Sequence, residues 1–207
     1  MNSRINWSAK AREVGRVEFL HDPVGKKNIE FGIAQALRLK LLQTRRSVLV
    51  EAPYLVPTRE LMSDLGELRR RGVTIEMITN SSTSNDDLLV SIGYEADKKK
   101  LLNLGVDLWE YNGPETIHAK SAVLDQKLAL IGSFNMDYRS QRLNTETAVA
   151  IPDAETAQEL RRNIYVHRAK CTHVTPEHLA GPGLSAAPLS ERIKRSFLKL
   201  LLPLVHA

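Results

Sequence analysis

Residues 116–146 read TIHAKSAVLDQKLALIGSFNMDYRSQRLNTE. Two apolar runs within them, IHAKSAVLD (117–125) and KLALIG (127–132), are separated by Gln126 alone. Runs of this length and composition, so closely joined, predict an antiparallel hairpin. A third run, TETAVAI (145–151), follows. Alternate side chains of a strand share a face, so His118 and Lys120 leave the sheet on the same side. Ser133 and Asn135 have the same spacing just past the Gly132 break in the partner strand. The hairpin thus gathers an imidazole, a cation, a hydroxyl and an amide around one small volume. Such a set suits a tetrahedral phosphoryl group. Lys120 and Asn135 can hold its equatorial oxygens against the charge of a five-coordinate transition state, while His118 attacks phosphorus or protonates a leaving oxygen.

Upstream the pattern is different. Val17–Leu20 is strand-like, and Ile29, Ile33, Ala36, Leu37 and Leu41 recur at helical spacing within residues 28–46. SVLVEAP (47–53) is a buried-strand run closed by Pro53, and Pro57-Thr58 opens a helix that stops at Arg69-Arg70-Arg71-Gly72. VTIEMIT (73–79) is the next strand. Asn85, Asp86 and Asp87 cap a helix that ends at Gly105 after Lys98–Lys100, and Val106–Tyr111 is a further strand. Strands and helices that alternate, followed by three strands in succession, predict an α/β fold: a mixed β-sheet sandwiched by helices, closed by a helix over 153–170. Residues 171–188, rich in Pro, Gly, Ser and Ala, read as a linker.

The chain of 207 residues is 43% hydrophobic and 26% charged, which excludes a disordered or fibrous protein and allows one domain. Its net charge of +5 is uneven. Residues 1–47 hold ten Lys/Arg against four Asp/Glu and residues 181–207 four against one, whereas 48–180 hold fifteen against nineteen. A mildly acidic body argues against general nucleic-acid binding. One cysteine, Cys171, leaves no internal disulfide framework. No apolar run reaches membrane-span length and the start lacks a signal-peptide pattern, so the expected location is cytoplasmic or peripheral to a membrane. His167, Cys171, His173 and His178 match no common zinc spacing and read as a surface helix end.

The spacing His118-x-Lys120-x4-Asp125-x6-Gly132-Ser133-x-Asn135 matches the HKD signature of the phospholipase D superfamily at all six positions. By chance such a match has odds on the order of 10⁻⁶ in a chain of this length. APYLVP (52–57), ITNSSTSND (78–86), Gly93-Tyr94 and LLNLGVDLWEY (101–111) resemble the second half of bacterial cardiolipin synthases. The resemblance covers residues 16–170. It implies a phospholipase D-like half-domain that needs no metal or cofactor, with His118, Lys120, Asp125, Asn135 and Glu146 as the catalytic set and Gly132 and Ser133 beside substrate. Glu146 stands where the family has a glutamate hydrogen-bonded to the histidine. Asp125, at the hairpin corner, holds the turn or the lysine strand, and Ser133 either touches phosphate or braces Glu146.

The same resemblance implies a phosphatidyltransferase that works through a phosphatidyl-histidine on phosphatidylglycerol-like phospholipids, peripheral to the cytoplasmic side of the cell membrane. The family builds one site from two motifs, and this chain holds one. The partner is therefore a second HKD half, in cis or in a homodimer. Two alternatives are a homodimeric phosphodiesterase or nuclease and a non-catalytic fragment that binds membrane or a partner. Residues 1–15 read as linker-like, and Arg139 and Arg142 either meet a headgroup phosphate or are solvated or paired. In 189–207, Leu189, Ile193, Phe197, Leu200, Leu201 and Leu204 oppose Arg192, Arg195 and Lys199, the pattern of an amphipathic helix for an anionic lipid surface or a protein face.

Overall fold

The computed structural model describes residues 11–23 and 32–179. Its strands are β1 (Glu18–His21), β2 (Ser47–Glu51), β3 (Thr74–Asn80), β4 (Asp107–Tyr111), β5 (Ser121–Leu124), β6 (Leu128–Gly132), β7 (Thr147–Ile151) and β8 (Cys171–Val174). Its helices are α1 (Ile33–Gln43), α2 (Arg59–Arg70), α3 (Leu88–Asn103), α4 (Tyr138–Arg142), α5 (Ala154–Arg168) and α6 (Pro176–Leu179). The strands form one sheet in the order β1-β7-β6-β5-β2-β3-β4-β8. β2, β3 and β4 are parallel and every other pairing is antiparallel. This is the expected mixed sheet between helices.

Alternation along the strands sorts the core into two layers. Val48 and Val50 of β2, Ala122 and Leu124 of β5 and Leu130 of β6 pack toward α1, α2 and α3, where Leu65, Leu68, Tyr94 and Leu101 are buried. The intervening Leu49, Val123 and Ala129 pack toward Ala157 and Ile164 of α5. Side-chain caps stop the chain from continuing as strand: Thr58 Oγ1 accepts from Leu61 N, Asp87 Oδ1 from Leu89 N and Val90 N, and Asp153 Oδ2 from Thr156 N.

At the β5–β6 corner Asp125 and Gln126 both have positive φ, 53° and 58°, and Lys127 N donates to Leu124 O. These are the φ signs of a type I′ turn, whose twist matches that of the strands it joins. The Asp125 carboxylate also accepts from the amides of Arg45, Arg46 and Ser47 at 2.7–3.2 Å, so it fastens the hairpin corner to the start of β2. Burial works against its ionisation, yet the amides of Arg45, Ser47 and Arg46 outweigh it and hold the carboxyl below the usual carboxylate range. Asp125 sits at the opposite end of β5 from Lys120, on the order of 16 Å along the strand. It belongs to the scaffold and not to the catalytic set.

Four readings of the sequence change. The run 117–125 is strand only from Ser121, because β2 ends at Glu51 and residues 117–120 lose their ladder neighbour on that side. Residues 171–174 are no linker: β8 pairs with β4, His173 stacks on Trp109 at 4.5 Å and donates to Asp107, and Val174 is buried. Glycine and proline crowd only the sequence beyond it. Within the linker-like start, Arg12 is tied to Asp153 at 2.7 Å and Glu155 at 2.9 Å. Helix α4, not expected from the sequence, is a single capped turn after Asp137. Ile29 and the amphipathic pattern over 189–207 lie outside the described residues.

Asp125→Ala should lower stability at neutral pH by about 1–2 kcal/mol, since three amides lose their acceptor where water can partly replace it. Because the folded carboxyl is depressed, its contribution is complete above the unfolded value near ~3.9 and is lost as pH falls through the folded value. Thermal unfolding of the two proteins should therefore converge in acid. In Gly132→Ala, the new Cβ would lie 2.3 Å from Thr147 O and 2.7 Å from Ala148 Cβ. The expected cost is about 1–3 kcal/mol in denaturant unfolding.

Candidate active site

The site lies where the C-terminal ends of β2 and β3 meet the entry to β5 and the exit of β6. Asn80, fully buried at the end of β3, takes over the missing ladder contacts of the segment before β5. Its Nδ2 donates to Ile117 O at 2.9 Å and its Oδ1 accepts from Ile117 N at 2.9 Å. Nδ2 also donates to Pro53 O at 3.2 Å, which joins this segment to the turn after β2. On the other side Gly132 N donates to Lys120 O at 3.0 Å, so the β5–β6 ladder continues one residue past its strands. His118 and Lys120 are thereby held in extended chain at the rim of the sheet.

Lys120 Nζ lies 3.3 Å from each ring nitrogen of His118 and donates to His118 O at 3.0 Å. The ring of Tyr54 meets the imidazole edge-on at 6.0 Å, and Lys120 Nζ lies 5.9 Å from the centre of that ring. Tyr54 OH donates to Asp86, and burial, helped by that bond, pushes the phenol up to about 12. It stays protonated and packs as a wall. Burial also lowers the pKa of Lys120 from the ordinary lysine range, against the upward pull of Glu146, Asp137 and Asp86. Those three carboxylates show which charges the ammonium feels.

Glu146 is 4% exposed and does not bond to His118. Its oxygens are occupied instead: Oε2 by the Ser133 hydroxyl, Oε1 by Ser140 Oγ at 2.7 Å and Asn144 Nδ2 at 3.1 Å. The expected glutamate–histidine contact is therefore absent among the described residues, because the β6–β7 connection satisfies the carboxylate locally. Ser133 braces Glu146, and its Oγ also accepts from Thr147 N at 3.0 Å. Asn135 joins the same network through its amide, which donates to Ser140 Oγ at 3.0 Å. Its Oδ1 is buried with no hydrogen-bond partner. Gly132 is required by the close approach of β7 and touches the site only through its backbone.

Asn80, Ser140 and Asp22 position the site and were not among the residues expected there. Asp22, 5% exposed, accepts from Glu146 N at 2.9 Å and from Ile33 N at 2.8 Å, tying β1, α1 and the start of β7 together. A polar residue closing an apolar strand (Asn80) and an Asp-x-x-Ser cap (Asp137 to Ser140) were the available signals. Val56 N donates to Met136 O at 2.9 Å, which holds the Asn135 loop against the turn that carries Tyr54. Arg142 leans toward Glu60 at 3.8 Å and Arg139 is exposed. The residues read as a surface helix end are spread over three elements with separate partners: His167 of α5 meets Glu51, His173 of β8, the strand that also holds Cys171, meets Asp107, and His178 of α6 meets Thr175.

Known proteins share both sequence and fold with this chain. Cardiolipin synthase C of Escherichia coli is 38% identical over 122 residues, 51% of this chain and 26% of that protein. Cardiolipin synthase A of Buchnera aphidicola is 33% identical over 128 residues, 62% of this chain and 26% of that protein. The chain thus spans about a quarter of the length of these relatives. Phosphatidylserine synthase of Haemophilus influenzae shares the fold with a TM-score of 0.68 at 17% identity, over 91% of this chain and 45% of that one. Nuc of Salmonella typhimurium, a phospholipase D family member, does so with a TM-score of 0.61 at 17% identity, over 77% of this chain and 97% of that one. The family model described as cardiolipin synthase, PLD-like domain, matches residues 37–166, which hold all of the motif, and the chain belongs to that family.

Proposed function

We propose that the chain is one half of a phosphatidyltransferase of the cardiolipin synthase type. The observation that carries this reading is the His118–Lys120 pair, an imidazole with an ammonium 3.3 Å from both ring nitrogens and Asn135 braced nearby. Membership of the family supports it. In this reading a ring nitrogen of His118 attacks the phosphorus of a phosphatidylglycerol-like donor, and the bond from phosphorus to the departing glycerol oxygen breaks. That oxygen takes a proton from the histidine of a second HKD half. The same histidine then accepts the proton of an incoming glycerol hydroxyl, whose oxygen displaces His118 from phosphorus. Lys120 and Asn135 meet the charge that builds on the phosphoryl oxygens.

The second half is supplied in cis or by a second copy of this chain, and the reaction takes place at the cytoplasmic side of a membrane to which the protein is peripheral. No helix among the described residues is long and apolar enough to cross a membrane, which is compatible with that placement. The mildly acidic body favours a lipid phosphate over a nucleic acid backbone.

Incubation with phosphatidylglycerol radiolabelled in its phosphate, quenched in alkaline denaturant, should leave label on His118. His118→Ala should remove the label and at least 10³-fold of the transfer rate, as loss of a nucleophile does. Label or turnover that persists in this variant would refute the assignment, and turnover by a strictly monomeric single-motif chain would refute the two-half site. The alkaline limb of kcat/KM should fall below the ~10.4 of a free lysine, because Lys120 loses its charge at lower pH than usual and the phosphoryl group then loses its cation. Lys120→Arg should shift that limb upward while lowering the rate. An unchanged limb would assign the titration to another group.

A further inference from the structure

Alternation places Lys120, Ala122 and Leu124 on one side of the hairpin, so the strand that presents the lysine also runs into the layer beneath α1. Helix α1 covers the sheet loosely there: of its residues Ile33 alone is fully buried, while Ala36, Leu37 and Leu41 pack partly buried against the core. Beneath it is a cavity of about 620 Å³ bordered by Lys120 at one end, with Ala122, Leu124 and Leu130 as floor and Leu37, Leu41 and Phe134 facing them. Its volume lies within the ~300–1,000 Å³ of small-molecule sites.

The charged groups on its helical wall satisfy one another. Arg38 binds Asp64 through two hydrogen bonds of 2.6 and 2.9 Å and Glu60 at 3.0 Å, and Gln141 donates to Glu60 at 2.6 Å. The other carboxylates on the lining are met within the protein as well, Asp22 by the amides of Ile33 and Glu146, Asp137 by that of Ser140, and Glu51 by His167 and Ser121, which leaves Ala122, Leu124 and Leu130 as an aliphatic strip between them. From Lys120 to Leu124 the strand covers about 13 Å. One acyl chain spans half of a bilayer core, about 15 Å.

We infer that this cavity holds one acyl chain of the lipid whose phosphate meets His118 and Lys120. The inference rests on the phospholipid reading above for its headgroup, and on the cavity alone for its tail. Lys120 is common to both, so a chain drawn in beside it would leave the phosphoryl group at the rim and the hydrocarbon under α1. Binding of a single tail out of the bilayer would also bring the scissile phosphate down to the sheet, away from bulk membrane.

The test is displacement of a dansylated undecanoate from the full chain by saturated fatty acids kept below micelle-forming concentrations. Affinity should rise by on the order of a hundred-fold from octanoate to dodecanoate, as four buried methylenes require, and then level off as the chain outgrows the cavity. Ala122→Phe, and independently Leu37→Trp, should each weaken binding at least ten-fold with circular dichroism unchanged. Absence of binding, affinity that ignores chain length, or binding that survives both filling variants would overturn the inference; the first of these is also what a cavity closed by the chain itself gives. Failure of the phospholipid reading looks different: fatty acids still bind by chain length, while no lipid-derived label reaches His118.

Discussion

Two hydrogen bonds from a single buried side chain mark the place where the sheet becomes a site. β2 can offer no ladder beyond Glu51, and the segment that carries His118 and Lys120 would otherwise leave buried backbone groups unpaired. Asn80 answers both groups of Ile117 at 2.9 Å, as a strand neighbour would, while a third bond reaches Pro53. An amide is the side chain that can donate and accept at once, which a carboxylate or a lysine cannot. The histidine, the lysine and the Tyr54 wall all take their positions from that substitution.

A second constraint runs through Glu146. A carboxylate 4% exposed must be surrounded by donors, and the chain supplies a serine from the exit of β6, a serine from α4 and an asparagine from the approach to β7. The short helix α4 therefore has a reason to exist: it delivers Ser140, which accepts from the Asn135 amide and donates to Glu146 in the same contact chain. Asn135 is left with a buried side-chain oxygen that has no hydrogen-bond partner. Preorganisation of this kind is bought with polar groups that must all be satisfied together.

Strand and helix alternation was legible because 2.0 and 3.6 periodicities write themselves into apolar spacing, and Pro53, Gly72 and Gly105 punctuate it. His118 and Lys120 were legible as a pair because alternate residues of extended chain share a side. What stayed hidden were roles decided by partners distant in sequence. Nothing local distinguishes an Asp125 that anchors β2 from one that touches substrate. Glu146 was expected beside a histidine 28 residues away and instead found Ser133 and Ser140, because short connections offer donors before distant ones can reach. β8 escaped notice because four residues with one buried side chain carry little hydrophobic signal, and the composition beyond it resembled a linker.

The strand order carries a further consequence for where this domain begins and ends. Sequence similarity delimits residues 37–166, yet β1 closes one margin of the sheet and β8 the other, and both fall outside that span. A chain trimmed to the similarity boundary would bare the outer edges of β7 and β4, each a template for pairing with another molecule. It would also remove Asp22 and leave the Glu146 amide without its acceptor. The span marked out by the family model is thus smaller than the sheet, and the difference is made up by β1 and β8.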